Sequence, residues 1–253
     1  VTAPVTGDLS LQGRILPASN ATFFGRLNET AVVYKPVAGE RPLWDFPSGT
    51  LAHREVAARL VSETSGWDLV PSTWLGDGPY GVGMLQEWQE IASGPGAVRL
   101  VPAGALPESG WRHVLDGIGE REQPVSLIHE DSAALRRMAV FDVIVNNADR
   151  KGGHVLAMPS GHRYGVDHGL TFHVEPKLRT VLWGWLGESL TDDESAGVER
   201  VLAALGADLG ERLIGLLAED EIGALVERCE RLLNEGVFPA PDGIMPAVPW
   251  PPF

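Results

Sequence analysis

Residues 140–156 read VFDVIVNNADRKGGHVL, and this stretch restricts the folding options more than any other part of the chain. Apolar residues suited to a helix stop at Asn146 and Asn147. Asp149, Arg150, Lys151, two glycines and His154 follow before a short apolar strand resumes. A buried polar group is costly unless it is paired. A tight polar loop between two buried elements is therefore either plain surface or a place built for chemistry. The two glycines give the backbone room to aim His154 without dictating its direction.

The surrounding pattern places this loop in an α+β chain. Asp131 or Ser132 can cap a helix running to about Val145, with Leu135, Met138, Ala139, Asp142 and Val143 at helical spacing. Asp142 falls on the inner side and reads as an anchor for the loop rather than a reacting group. Two short strands, 154–158 and 163–167, follow around the turn PSGH. Earlier, strands are expected at 9–16 and 31–36, a helix over 51–65 capped by Thr50, and strands within 67–75 and 80–88 around GDGP. Glycine and proline obscure residues 90–130, where two short helices are expected near Trp111 and Val125. Beyond Trp183 the periodicity is helical over 192–205, 207–218 and 220–235; Trp183 and Trp185 read as packing residues. The last 17 residues hold six prolines, which exclude a regular helix or a central strand.

Composition narrows the function classes. The net charge of −14 works against nucleic acid and anionic membrane surfaces as partners. No apolar run approaches the roughly 18–20 residues that span a bilayer, so no integral membrane segment is expected. A single cysteine, Cys229, excludes an internal disulfide framework. The first residues lack the charged and apolar regions of a secretory signal, and the expected location is the cytoplasm.

The loop chemistry points to phosphoryl transfer. Asp149 and Asp167 lie at opposite ends of a short hairpin, so their side chains can meet at its open end. Phosphoryl transfer uses one Asp to orient the acceptor hydroxyl and another, with a polar partner, to hold the metal that bridges the phosphates. The general kinase spacing is Asp, four residues, Asn, then Asp-x-Gly. The chain keeps that spacing in DRKGGH and DHG but has His154 in place of Asn. Upstream, Lys35 ends a strand and Glu55 sits on the next helix, the arrangement that holds nucleotide α- and β-phosphates. Ser19, Asn20 and Thr22, in PASNATF, occupy the position of a phosphate-covering loop, though without its glycines.

NNADRKGGHVL and YGVDHGLTFH, with VVYKP and REVAA upstream, resemble the catalytic core of the phosphatidylinositol 3-/4-kinase-like superfamily, which includes HipA-type protein kinases. YKPVAGERPLWDFPSGTLAHREVA and LRTVLWGW are similar to a compact actinobacterial family described as containing such a kinase domain; the resemblance covers roughly residues 10–235. It implies a bilobal protein-kinase-like fold: a β-rich N-lobe over 1–90, an α-rich C-lobe over 91–236 and a Pro-rich tail over 237–253. It implies Asp149 as catalytic residue, Asp167 and His154 at the metal, and Lys35 and Glu55 as the phosphate-holding pair. Backbone groups near Gln86, Glu87 and Trp88 would meet the adenine edge of ATP, bound with Mg²⁺ or Mn²⁺. Imidazole at position 154 suits Mn²⁺ better than Mg²⁺.

The expected function is an ATP-dependent kinase acting on a hydroxyl of a protein, small molecule or lipid. Three alternatives stay open: a nucleotide-binding pseudokinase, a nucleotidyl transferase on the same fold, and a metallohydrolase built on Asp149, His154, Asp167 and His168.

Overall fold

A computed structural model describes residues 7–16, 18–119, 121–241 and 245–253. Its first sheet has five antiparallel strands in the order β1-β2-β3-β5-β4: Leu9–Arg14, Phe23–Leu27, Thr30–Pro36, Gly81–Glu87 and Thr73–Gly78. Alternation in TAVVYKP sorts the faces of β3. Val32 and Tyr34 point into a small core with Leu27 and Leu85. Lys35, opposite Met84 on β5, points to the other face.

Helix α1, Leu51–Ser65, lies between β3 and β4 in sequence and sends Ala57, Ala58 and Val61 into the main core. Its N-terminus differs from the sequence expectation. Thr50 has helical φ and ψ and makes no side-chain cap. The Glu40 carboxylate instead accepts from the N–H groups of Leu51 and Ala52, at 3.1 and 2.8 Å. A negative group here satisfies open donors and complements the helix dipole. Gly66 ends the helix at φ +77°, a conformation open to glycine.

Several expected elements change. The first strand stops at Arg14, and β2 emerges from what read as a connecting loop. Trp67, Leu69 and Val70 form a buried loop rather than a strand; Ser62 Oγ accepts from the N–H groups of Leu69 and Val70. The two helices expected near Trp111 and Val125 are absent. Val98–Pro102, Trp111–Ile118 and Pro124–Glu130 form β6, β7 and β8, a second antiparallel sheet in the order β6-β8-β7. The central strand β8 is buried from Val125 to His129, so its sequence shows no alternation to mark it.

Ser132 caps α2, Ala133–Ile144, through Oγ. The short hairpin β9–β10, Val155–Ala157 and Arg163–Gly165, follows the polar loop. Thr191 and Glu194 form a capping box on α3, Asp192–Leu205. The helix expected over 207–218 shortens to α4, Asp208–Leu213, and α5 is Glu219–Glu235. The main core joins α1, α2, α3 and α5. No helix among the described residues is long and apolar enough to cross a membrane.

His129 on β8 ties the second sheet to this core. Its ring is fully buried beside Trp185, at 4.3 Å between centroids. Nδ1 lies 2.9 Å from the Glu130 carbonyl, and Nε2 accepts from the Gly184 N–H at 3.0 Å. These partners fit the neutral ring, and burial pushes its pKa down to about 4. The unfolded ring titrates near 6.5, so between these values the unfolded chain holds the extra proton. This contribution is complete above pH 6.5 and fades as pH falls toward 4, removing about 2 kcal/mol by pH 5. Urea unfolding near pH 7.5 and near pH 5 should show that loss, with a smaller pH slope in His129→Gln.

Candidate active site

The polar loop is organised around one buried ion pair. Asp142, on the last turn of α2, and Arg150, in the loop, both have fully buried side chains. Arg150 Nη2 donates to Asp142 Oδ1 at 2.8 Å and Nε donates to Oδ2 at 2.9 Å. Asn147 Nδ2 and Thr180 Oγ1 also donate to the Asp142 carboxylate. Arg150 Nη1 reaches the Val166 carbonyl, and Nη2 lies 2.7 Å from His168 Nε2. The guanidinium can only donate, so Nε2 accepts and the His168 ring is neutral. Burial, reinforced by Arg150, holds its pKa well below the ordinary histidine value.

This frame positions Asp149 and Asp167. Asn147 Oδ1 accepts from the Asp149 N–H at 3.0 Å, and the Asp149 side chain, a quarter exposed, lies 3.2 Å from Lys151 Nζ. Asp167 adopts φ +62°, a left-handed conformation that Asp tolerates better than most residues. Its carboxylate is half exposed, with Oδ1 2.7 Å from Lys35 Nζ and Oδ2 3.5 Å from His154 Nε2.

Lys35 links the first sheet to this loop. Its ammonium donates to Glu55 Oε1 at 2.6 Å as well as to Asp167. The second Glu55 oxygen accepts from the His168 N–H at 2.9 Å. Burial alone would lower the Lys35 pKa, but Asp167 and Glu55 together hold it above the ordinary lysine value. Lys35 depresses the Asp167 carboxyl, aided by His154 and against burial. Burial pushes the Glu55 carboxyl up, opposed by Lys35 and the His168 N–H. Burial also pushes His154 down, and its Nδ1 has no partner among the described residues. A neutral imidazole beside an ionised carboxylate is a donor set that fits a divalent cation.

The remaining expected site residues have their own local partners or exposure. Ser19 is exposed; Asn20 Oδ1 accepts from the Arg41 N–H; Thr22 is buried and donates to the Asn20 carbonyl. Gln86 is buried and donates to Thr73 on β4. The Glu87 and Trp88 N–H groups donate to the Ser72 and Ala31 carbonyls; the Glu87 carbonyl accepts from Gln89 Nε2, and Trp88 Nε1 donates to the Glu90 carboxylate. His168, grouped with the metal residues in the metallohydrolase alternative, turns to Arg150 instead. Among the described residues no three or more His, Cys, Asp or Glu side chains converge as a metal site, so that alternative loses its cluster.

Sequence reading missed three participants. Arg150, next to Asp149 in sequence, binds Asp142. Lys151 is the cation beside Asp149. The tail also reaches the loop: the Pro252 carbonyl accepts from the Gly152 N–H at 2.8 Å. A Cβ on Gly152 would overlap the Phe253 ring, so a larger residue there would displace this terminal side chain. The adjacent glycines were the available signal for such an approach; nothing in the tail itself named its target.

No family model matches the chain. It is 51% identical over 260 residues to Protein Rv2133c of Mycobacterium tuberculosis (strain ATCC 25618 / H37Rv), covering 98% of this chain and 93% of that protein. The chain belongs to the Rv2133c family. Among solved structures, the Helicobacter pylori proinflammatory kinase CtkA matches with a TM-score of 0.50 and 12% identity, over 92% of this chain and 95% of that one. The likeness shows a mixed α+β, kinase-like fold.

The Asp142–Arg150 pair yields a stability prediction. Asp142→Ala would leave a buried guanidinium without its counter-charge, a change that costs about 3–5 kcal/mol. Chemical denaturation measures this directly. A loss below about 1 kcal/mol would mean that water reaches the pair.

Proposed function

We propose that the chain is an ATP-dependent phosphotransferase with an N-lobe over residues 1–90 and a C-lobe over 91–236. The observation that carries this reading is Lys35 Nζ, held at 2.6 Å from Glu55 and 2.7 Å from Asp167. A strand lysine fixed by a helix glutamate, opposite a loop aspartate, is the arrangement that kinases use to hold nucleotide phosphates. On nucleotide binding, Lys35 would exchange Asp167 for α- and β-phosphate oxygens while Glu55 keeps it in place. Asp167, with His154 beside it, would hold Mg²⁺ or Mn²⁺, which neutralises charge on the phosphate oxygens. Asp149 would orient the acceptor hydroxyl and take its proton as the new O–Pγ bond forms and the bond to the β-phosphate oxygen breaks. Lys151, 3.2 Å from Asp149, would stabilise negative charge on the phosphoryl group in transit.

His154, in place of the usual Asn, favours a second reading, a nucleotide-binding regulator with little turnover. Single-turnover transfer from γ-labelled ATP separates the two, and label from the α-phosphate would identify nucleotidyl transfer. The acceptor is a hydroxyl on a protein, small molecule or lipid.

ATP with a divalent ion should stabilise the fold by about 2.7 kcal/mol at ~100 times its Kd, and Lys35→Ala should remove most of that gain. Asp149→Ala should keep nucleotide binding while transfer falls by about 100-fold or more. Thermal shift and single-turnover assays measure these two effects. No stabilisation by any nucleotide would reject the whole assignment.

His154→Asn gives a third test. It should shift the Mn²⁺/Mg²⁺ preference toward Mg²⁺, read as nucleotide affinity with each metal. An unchanged ratio would leave Asp167 as the metal ligand without His154.

A further inference from the structure

The tail is bonded to the Asp149 loop both directly and through its neighbouring segment. The Ala247 carbonyl accepts from the Thr180 N–H at 3.0 Å and from Trp183 Nε1 at 2.8 Å. Residues 179–181 are in turn backbone partners of the loop. The Arg150 N–H donates to the Arg179 carbonyl at 3.0 Å, and the Arg150 carbonyl accepts from the Val181 N–H at 3.2 Å. Further along the tail, the Pro252 carbonyl accepts from the Gly152 N–H at 2.8 Å. The Phe253 ring fills the space that a Cβ on Gly152 would take.

Lys151 therefore sits between two fixed points. Arg150, before it, is locked by Asp142 and by residues 179–181; Gly152, after it, is buried and bonded to the tail. The Lys151 carbonyl also accepts from the His154 N–H at 3.1 Å, so one turn carries both residues. A shift of Gly152 would move Lys151, 3.2 Å from Asp149, and His154, 3.5 Å from Asp167.

The docked tail supports this turn without covering it. The Asp149 and Lys151 side chains stay 25% and 23% exposed beside it. The side chains of residues 248–253, VPWPPF, carry no hydroxyl or ionisable group, so they cannot take a proton or a phosphoryl group.

We propose that Pro252 and Phe253 are positioning residues for phosphoryl transfer. They hold Gly152, and through it they keep Lys151 and His154 in the geometry that transfer requires. This role rests on the kinase reading above. Transfer is sensitive to such placement, because a misplacement of about 1 Å can cost about 100-fold in rate.

Phe253→Ala and Gly152→Ala, each in the full chain, test it. Phe253 is 47% exposed, so its truncation spares the core. Gly152 does not use a left-handed backbone, so alanine there acts by pushing the ring away. Each variant should slow single-turnover loss of the γ-phosphate from labelled ATP with Mn²⁺, to water or to the chain itself, by about tenfold or more. ATP affinity, read by thermal shift, should change by less than about twofold. Hydrogen exchange over residues 151–154, measured without nucleotide, should accelerate in both. Because both act through one contact, the double variant should be no slower than the slower single variant, whereas independent damage would multiply the losses. Phe253→Leu, which keeps apolar cover over Gly152, should recover most of the rate.

Wild-type turnover in Phe253→Ala, a loss of ATP affinity equal to the loss of rate, unchanged exchange over 151–154, or multiplied losses in the double variant would each overturn the tail's role and leave the kinase reading standing. A wild-type chain that neither binds nor turns over ATP would reject the kinase reading itself, and the tail's role in transfer with it.

Discussion

The buried pair of Asp142 and Arg150 sets the geometry on which the rest of the loop depends. Burying two charges is costly, and only close geometry with further hydrogen bonds offsets it. Both conditions hold here: the pairing is two-pronged, and Asn147, Thr180, the Val166 carbonyl and His168 satisfy remaining groups. These partners come from three short segments, at 147, 166–168 and 180. One guanidinium therefore fixes the end of α2, the turn carrying Asp149 and the backbone before Asp167. Misplacing any one of them would leave buried charge exposed to an apolar surround.

Lys35 performs the complementary task across a longer span. It is the cation to which both Glu55 and Asp167 are bonded. Two carboxylates around one ammonium raise the lysine pKa and leave local negative charge, a balance suited to accepting a cation. The Glu55 contact to the His168 N–H adds a second tie between α1 and the Asp167 segment. Arg54, one residue earlier on α1, braces the same region through the Thr171 carbonyl and Glu221 of α5. Phe172 beside it adopts φ +63°, costly for a bulky residue, and its N–H is held by the Val145 carbonyl at 2.6 Å. At Phe172 the surrounding contacts over-determine the strained backbone.

The tail is a third constraint. Ala247 accepts hydrogen bonds from Thr180 and Trp183, and Pro252 reaches Gly152. Proline-rich sequence has little conformational entropy to lose on docking, so few hydrogen bonds suffice to hold it. Residues 239–241 line a cavity beside α5, and Pro252 touches the loop that carries Asp149.

Local pattern by itself determined the elements that carry their own signal. TAVVYKP alternates strictly enough to put Lys35 on the face away from Tyr34, and the spacing of α2 placed Asp142 inward as an anchor for the loop. The Asp149 and Asp167 turns were legible because glycines and clustered polar residues interrupt apolar runs. Only the tertiary structure decided which charges meet. Lys35 and Asp167 are 132 positions apart, and Glu55 and His168 are 113 apart. Choosing Asp142 rather than Asp149 for Arg150, Glu40 rather than Thr50 for the start of α1, and Gly152 as the tail's landing point requires the chain's path through space. Periodicity acts over a few residues; ion pairing and close packing act over a few ångströms, wherever topology brings the groups together.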